Sequence, residues 1–106
     1  MDKRGEILNR IINVLDSTAP DSELYLYGSH ARGDNNNSSD WDLLILLNEN
    51  KISFDYETQI MDDFYDIELE IGEIISPLVY SKTEWINKYF MTPFFQNIER
   101  EGIRLK

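Results

Sequence analysis

The segment Gly28 to Asp42, GSHARGDNNNSSDWD, holds residue types and spacings suited to phosphate chemistry. Gly28 and Ser29 fall where a strand should turn into a helix. A glycine without a Cβ lets a phosphate approach the backbone. The free N–H groups at the start of a helix favour an anion, and the Ser29 hydroxyl can donate one more hydrogen bond. Arg32, one turn later, can offer a planar positive fork to phosphate oxygens. Its plainer reading is a surface ion pair with Asp34. Ser39 can touch a ligand or close a local turn. Asp40 and Asp42 are two residues apart on a strand, so both carboxylates share one face. Left empty they repel. A magnesium ion joining them to phosphate oxygens relieves that repulsion. Two such ions, roughly 3.5–4 Å apart, would support in-line attack at phosphorus.

The elements around this segment must hold it rigidly. Ile7, Leu8, Ile11, Ile12, Val14 and Leu15 recur at helical spacing, which predicts a helix over residues 3–17. Pro20 and Asp21 end it. Residues 23–27 (ELYLY) and 41–47 (WDLLILL) read as strands, with a helical turn over 30–32 and a polar loop over 34–39 between them. Ser53 caps a helix expected to run to about Tyr65. Residues 66–80 (DIELEIGEIISPLVY) read as strand throughout, with Gly72 at a bulge or hairpin and Pro77 marking an edge or an irregularity. Ser81 with Glu84 forms a capping box. Thr92 and Pro93 start a last helix, which ends near Gly102. The order α-β-α-β-α-β-α-α predicts an α/β (α+β) fold, a small mixed sheet flanked by helices.

Composition narrows the function classes. The chain has 106 residues, of which 42% are hydrophobic and 28% charged, the balance of one globular domain. It has no cysteine, so disulfides, thiolate metal sites and cysteine nucleophiles are excluded, and a reducing cytoplasmic location is expected. No apolar run reaches membrane-spanning length and the first residues lack a signal core, so neither membrane nor secretion is expected. The net charge of −10 argues against direct DNA binding.

Gly28-Ser29, ten residues, then Asp40-X-Asp42 resembles the signature of the polymerase-beta-like nucleotidyltransferase superfamily. With Ala31-Arg32-Gly33, Ser39 and Leu43 also in register, the chain resembles its minimal branch, and the likeness extends over the SPLVYSKTEW and NIEREGIRL stretches. The resemblance implies a nucleotidyltransferase fold over residues 1–106. It also implies Mg²⁺-dependent use of a nucleoside triphosphate, ATP foremost, with release of pyrophosphate. Gly28 and Ser29 would hold the triphosphate, and Asp40 and Asp42 the metal. Small members are often antitoxins paired with a HEPN-type toxin, which implies a partner protein whose hydroxyl accepts the nucleotide. A degenerate member that masks its partner by contact alone is the rival reading. Self-association is left open.

One position departs from the family. Where active members carry a third carboxylate, this chain has Ser76. Glu68, Glu70 and Glu73 are the substitutes, and Glu70 is favoured from its place on the expected strand. Losing a general base costs about 10²–10⁴-fold in rate. His30, the one histidine, is expected to face solvent. Phe90, Phe94 and Phe95 are expected in core or interface.

Overall fold

The computed structural model describes residues 3–36 and 38–106. Asn37, part of the expected polar loop, lies outside the described residues. Helix α1 spans Lys3–Thr18, strand β1 Glu23–Tyr27, helix α2 Ser29–Arg32 and strand β2 Trp41–Leu47. Helix α3 follows over Phe54–Ile71, strand β3 over Ile75–Ser81, helix α4 over Lys82–Tyr89, helix α5 over Pro93–Glu101 and the two-residue β4 over Ile103–Arg104. The sheet order is β3-β2-β1-β4, with β2 and β3 parallel and the other pairs antiparallel.

Strand alternation divides β2 between two cores. Trp41, Leu43, Ile45 and Leu47 join Leu24 and Leu26 of β1 under Ile7, Ile11 and Leu15 of α1 and Ile60, Phe64 and Ile67 of α3. Leu44 and Leu46 face the other way, against Trp85 of α4 and Ile98 of α5, with Tyr25, Tyr80, Phe94 and Phe95 around them. Each fully buried aliphatic or phenyl side chain contributes about 1.5–3 kcal/mol, so the sheet is anchored from both sides. Asp42 is the one residue of β2 that is not buried, and it belongs to the second face.

The expected caps are present. Ser53 Oγ accepts from Tyr56 N at 3.1 Å, Ser81 Oγ from Glu84 N at 3.0 Å, and Thr92 Oγ1 from Phe95 N at 3.2 Å. Pro77 sits in an edge strand, where a missing N–H is tolerated.

The stretch after Tyr65 differs from expectation. It continues α3 to Ile71 and does not form a strand. Ile67, Leu69 and Ile71 alternate with acids, which mimics a strand. However, Ile60, Phe64, Ile67 and Ile71 also fall at helical spacing, and three of them are fully buried by α1 and the sheet. Gly72 is no bulge. It ends the helix in the left-handed region at φ 71°, its N–H bonded to Glu68 O at 2.9 Å. Beyond the predicted elements, β4 adds a short fourth strand that pairs with β1.

Candidate active site

Gly28 ends β1 with φ 75° and ψ −157°, a conformation that L side chains rarely adopt. Its carbonyl accepts from Ala31 N at 3.1 Å and Arg32 N at 3.0 Å, which starts α2 and places Ser29 in its first turn. A Cβ at this position would fall on Asp42 Oδ2 and lie 3.1 Å from Asp42 Cγ. Glycine is therefore required twice, for its backbone angle and for the carboxylate beside it. The space read from sequence as room for a phosphate is the space Asp42 occupies.

Asp40 immediately precedes β2, and Asp42 is its second residue. Ser76 of β3 is the parallel partner of Asp42 in register, and Tyr27 of β1 is its antiparallel partner. The Ser76 hydroxyl donates to Asp40 Oδ2 at 3.1 Å. Burial, and next the charge of Asp40, push the Asp42 carboxyl up from its ordinary value, while His30 and Arg32 pull it back. The Tyr27 phenol is pushed up to about 12 by burial and then by Asp42 and Tyr80. Among the described residues neither aspartate is in an ion pair. Two neighbouring carboxylates without a cation suit a hard divalent ion. Among the described residues no third acid or histidine joins them to complete a metal cluster. The donor set thus fits Mg²⁺, which commonly takes one or two carboxylates and draws further oxygens from substrate phosphates and water.

The remaining sequence-derived residues divide. Arg32 lies close enough to influence Asp42, but its guanidinium is bonded to Asp34 at 3.1 Å and to Glu101 at 3.2 Å. Ser39 Oγ accepts from Asn36 N at 2.9 Å, closing the loop. Glu70 is not brought to the aspartates. It projects from α3 and pairs with Arg10 of α1 at 2.7 Å, with its side chain 57% exposed. The cause is the helix: the strand parity that put Glu70 on the site's face does not exist there. Glu68 accepts from Ile75 N at 2.8 Å, and Glu73 binds Trp41 Nε1 at 3.0 Å and Lys3 at 2.9 Å. All three acids are thus engaged elsewhere.

His30 also differs from expectation. It is buried and stacked on Trp41 with ring centroids 3.6 Å apart, and its Nε2 lies 3.3 Å from Ser39 O. This stack ties α2 to the start of β2, so it braces both halves of the motif. Tyr27 was not singled out from sequence; it becomes visible only once β1 and β2 are paired. A cavity of about 420 Å³ lined by Lys3, Arg4, His30, Trp41 and Glu73 includes Trp41, whose side chain faces away from Asp42. It is set apart from the carboxylate pair by strand alternation.

The polymerase beta nucleotidyltransferase model matches residues 9–103, nearly the whole chain. The chain belongs to this nucleotidyltransferase family. Two Methanocaldococcus jannaschii proteins named as protein adenylyltransferases are similar to it. One is 35% identical over 80 residues, spanning 76% of this chain and 73% of the relative. The other is 33% identical over 81 residues, spanning 76% and 74%. Two crystal structures share the fold. A toxin–antitoxin with AMP-PNP aligns over 93% of this chain and 72% of its own, with TM-score 0.65 and 18% identity. A mutant of the toxin–antitoxin MntA-HpeT aligns over 93% and 71%, with TM-score 0.62 and 15% identity. As a nucleotidyltransferase of mixed α/β fold, the chain has no helix among its described residues long and apolar enough to cross a membrane.

Proposed function

We propose that this nucleotidyltransferase moves AMP from ATP to a hydroxyl on a partner protein, as the antitoxin of a toxin–antitoxin pair with a HEPN-type partner. The observation that carries this reading is the packing of Gly28 against Asp42. It joins the glycine-serine turn and the carboxylate pair into one site. The names of the two archaeal relatives support adenylyl transfer to protein, and the toxin–antitoxin structures support a partner.

In this reading the N–H groups and hydroxyl at Ser29 orient the β- and γ-phosphates. Asp40 and Asp42 would hold Mg²⁺, which when bound neutralises phosphate charge at the reacting phosphorus. The Ser76 hydroxyl holds Asp40 in place. The acceptor oxygen forms its bond to the α-phosphorus as the bond to the β-phosphate oxygen breaks, and pyrophosphate leaves. The acceptor's proton passes to water, because Ser76 stands where a carboxylate base is expected and Glu70 is turned away.

That same serine supports a second reading, in which the domain neutralises its partner by contact alone. Incubation with α-labelled ATP, Mg²⁺ and the protein encoded beside it separates the two. Label on the neighbour, lost in an Asp40→Ala/Asp42→Ala control, is expected. Tight association of the pair without label or pyrophosphate would favour contact alone.

A further inference from the structure

Helix α3 carries a second apolar stripe that the described residues leave largely exposed. Phe54, Met61, Tyr65 and Leu69 are spaced seven, four and four residues apart, so they lie on one face. They are 80%, 40%, 58% and 67% exposed. The buried stripe of Ile60, Phe64 and Ile67 points elsewhere. A heptad-like apolar row is the seam of a helix–helix contact.

Its flanks are acidic. By helical geometry Asp55, Asp62 and Asp66 border one side and Glu57 the other. Among the described residues none of these four is in an ion pair. The α3 sequence FDYETQIMDDFYDIELEI has seven acids and no base. Acids in the last turn also oppose the helix dipole, so cations nearby would stabilise this helix.

We propose that this face docks a helix of a partner protein, one whose apolar stripe is bordered by lysine and arginine. A second copy of this chain is a poor occupant: it would set acidic border against acidic border between molecules of net charge −10. Ile74, in the link from α3 to β3, is also exposed, at 57%, and precedes Ser76 by two residues. Helix α3 ends a few residues before β3, at the strand end that carries Ser76. The identity of the docked helix as part of the nucleotide acceptor rests on the reading above; the docking does not.

The test uses a fluorescent helical peptide with leucines at heptad spacing and lysines on both borders, and a twin bearing glutamates there. Fluorescence anisotropy reads binding to the intact chain and to a Met61→Gln/Tyr65→Gln/Leu69→Gln variant. Glutamine keeps the helix and leaves the charge unchanged. The lysine peptide is expected to bind about tenfold or more tighter than its twin, and to lose about tenfold or more on the variant. Equal binding to both proteins overturns the proposal. So does a wild-type dimer in light scattering that the variant converts to monomer. Mg-ATP binding is measured beside it. Peptide binding without ATP binding leaves the docking face standing and removes the adenylyl-transfer reading. ATP binding without peptide binding does the reverse.

Discussion

The two faces of the sheet are built from alternate residues of the same strand, yet they differ in kind. The face under α1 and α3 is aliphatic and closed, with Ile11, Leu24, Leu26, Leu43, Ile45 and Leu47 almost wholly buried. The face under α4 and α5 is aromatic and half-open. Trp85 meets Phe94 edge-on at 5.6 Å and Tyr80 at 5.6 Å in a stacked arrangement, while Phe90 is left largely exposed. Asp42 and Ser76 emerge on this second face, at the end of the strands where α2 begins. A closed core holds the strands still, and the looser face leaves room for a charged site at its edge.

The largest effect that sharpens this contrast is on the closed face. Phe64→Ala should cost about 3–5 kcal/mol of stability in denaturant melts. Pyrophosphate release per folded molecule should stay as it was. A matching loss of rate would show that the two faces are not separable. Gly28→Ala should cost about 1–3 kcal/mol through its positive φ. It should also cut the rate sharply, because the new methyl displaces Asp42; a normal rate would mean the carboxylate can move freely. Ser76→Ala should cost about 0.5–1.5 kcal/mol, read as a several-fold drop in rate from a less well held Asp40.

Asp42→Asn probes electrostatics on the open face. Burial and Asp40 raise the Asp42 carboxyl in the fold. A group raised in this way favours the folded state below its unfolded value, and that favour is lost as pH rises through the folded value. In EDTA the Asn variant should therefore melt above the wild type at neutral pH. The advantage should vanish as pH falls below the ordinary carboxylate value of 3.8. Smallest of all is Glu70→Gln. It removes an exposed ion pair with Arg10 and should leave both rate and melting temperature where they are. A large rate loss there would restore Glu70 to the catalytic set.

The local grammar of the chain was legible from its residues. The limits of β1 and β2, the caps at Ser53, Ser81 and Thr92, and the edge position of Pro77 all follow from short-range rules. So does the closeness of Asp40 to Asp42, which follows from their spacing although Asp40 lies just before β2. The DIELEI run was not legible. Alternation and helical spacing were both satisfied there, and burial of Ile67 against α1 and the sheet decided for helix. That one choice carried Glu70 away from the site.

By itself the sequence determined which residues form the glycine-serine turn and the neighbouring aspartates, and the family to which they belong. Only the tertiary structure decided what stands around them. It placed Ser76 and Tyr27 on either side of Asp42, buried His30 on Trp41, and filled the missing Cβ of Gly28 with a carboxylate. These are contacts between segments far apart in the chain. They depend on how strands pair and which helix covers which face, and no local pattern records that.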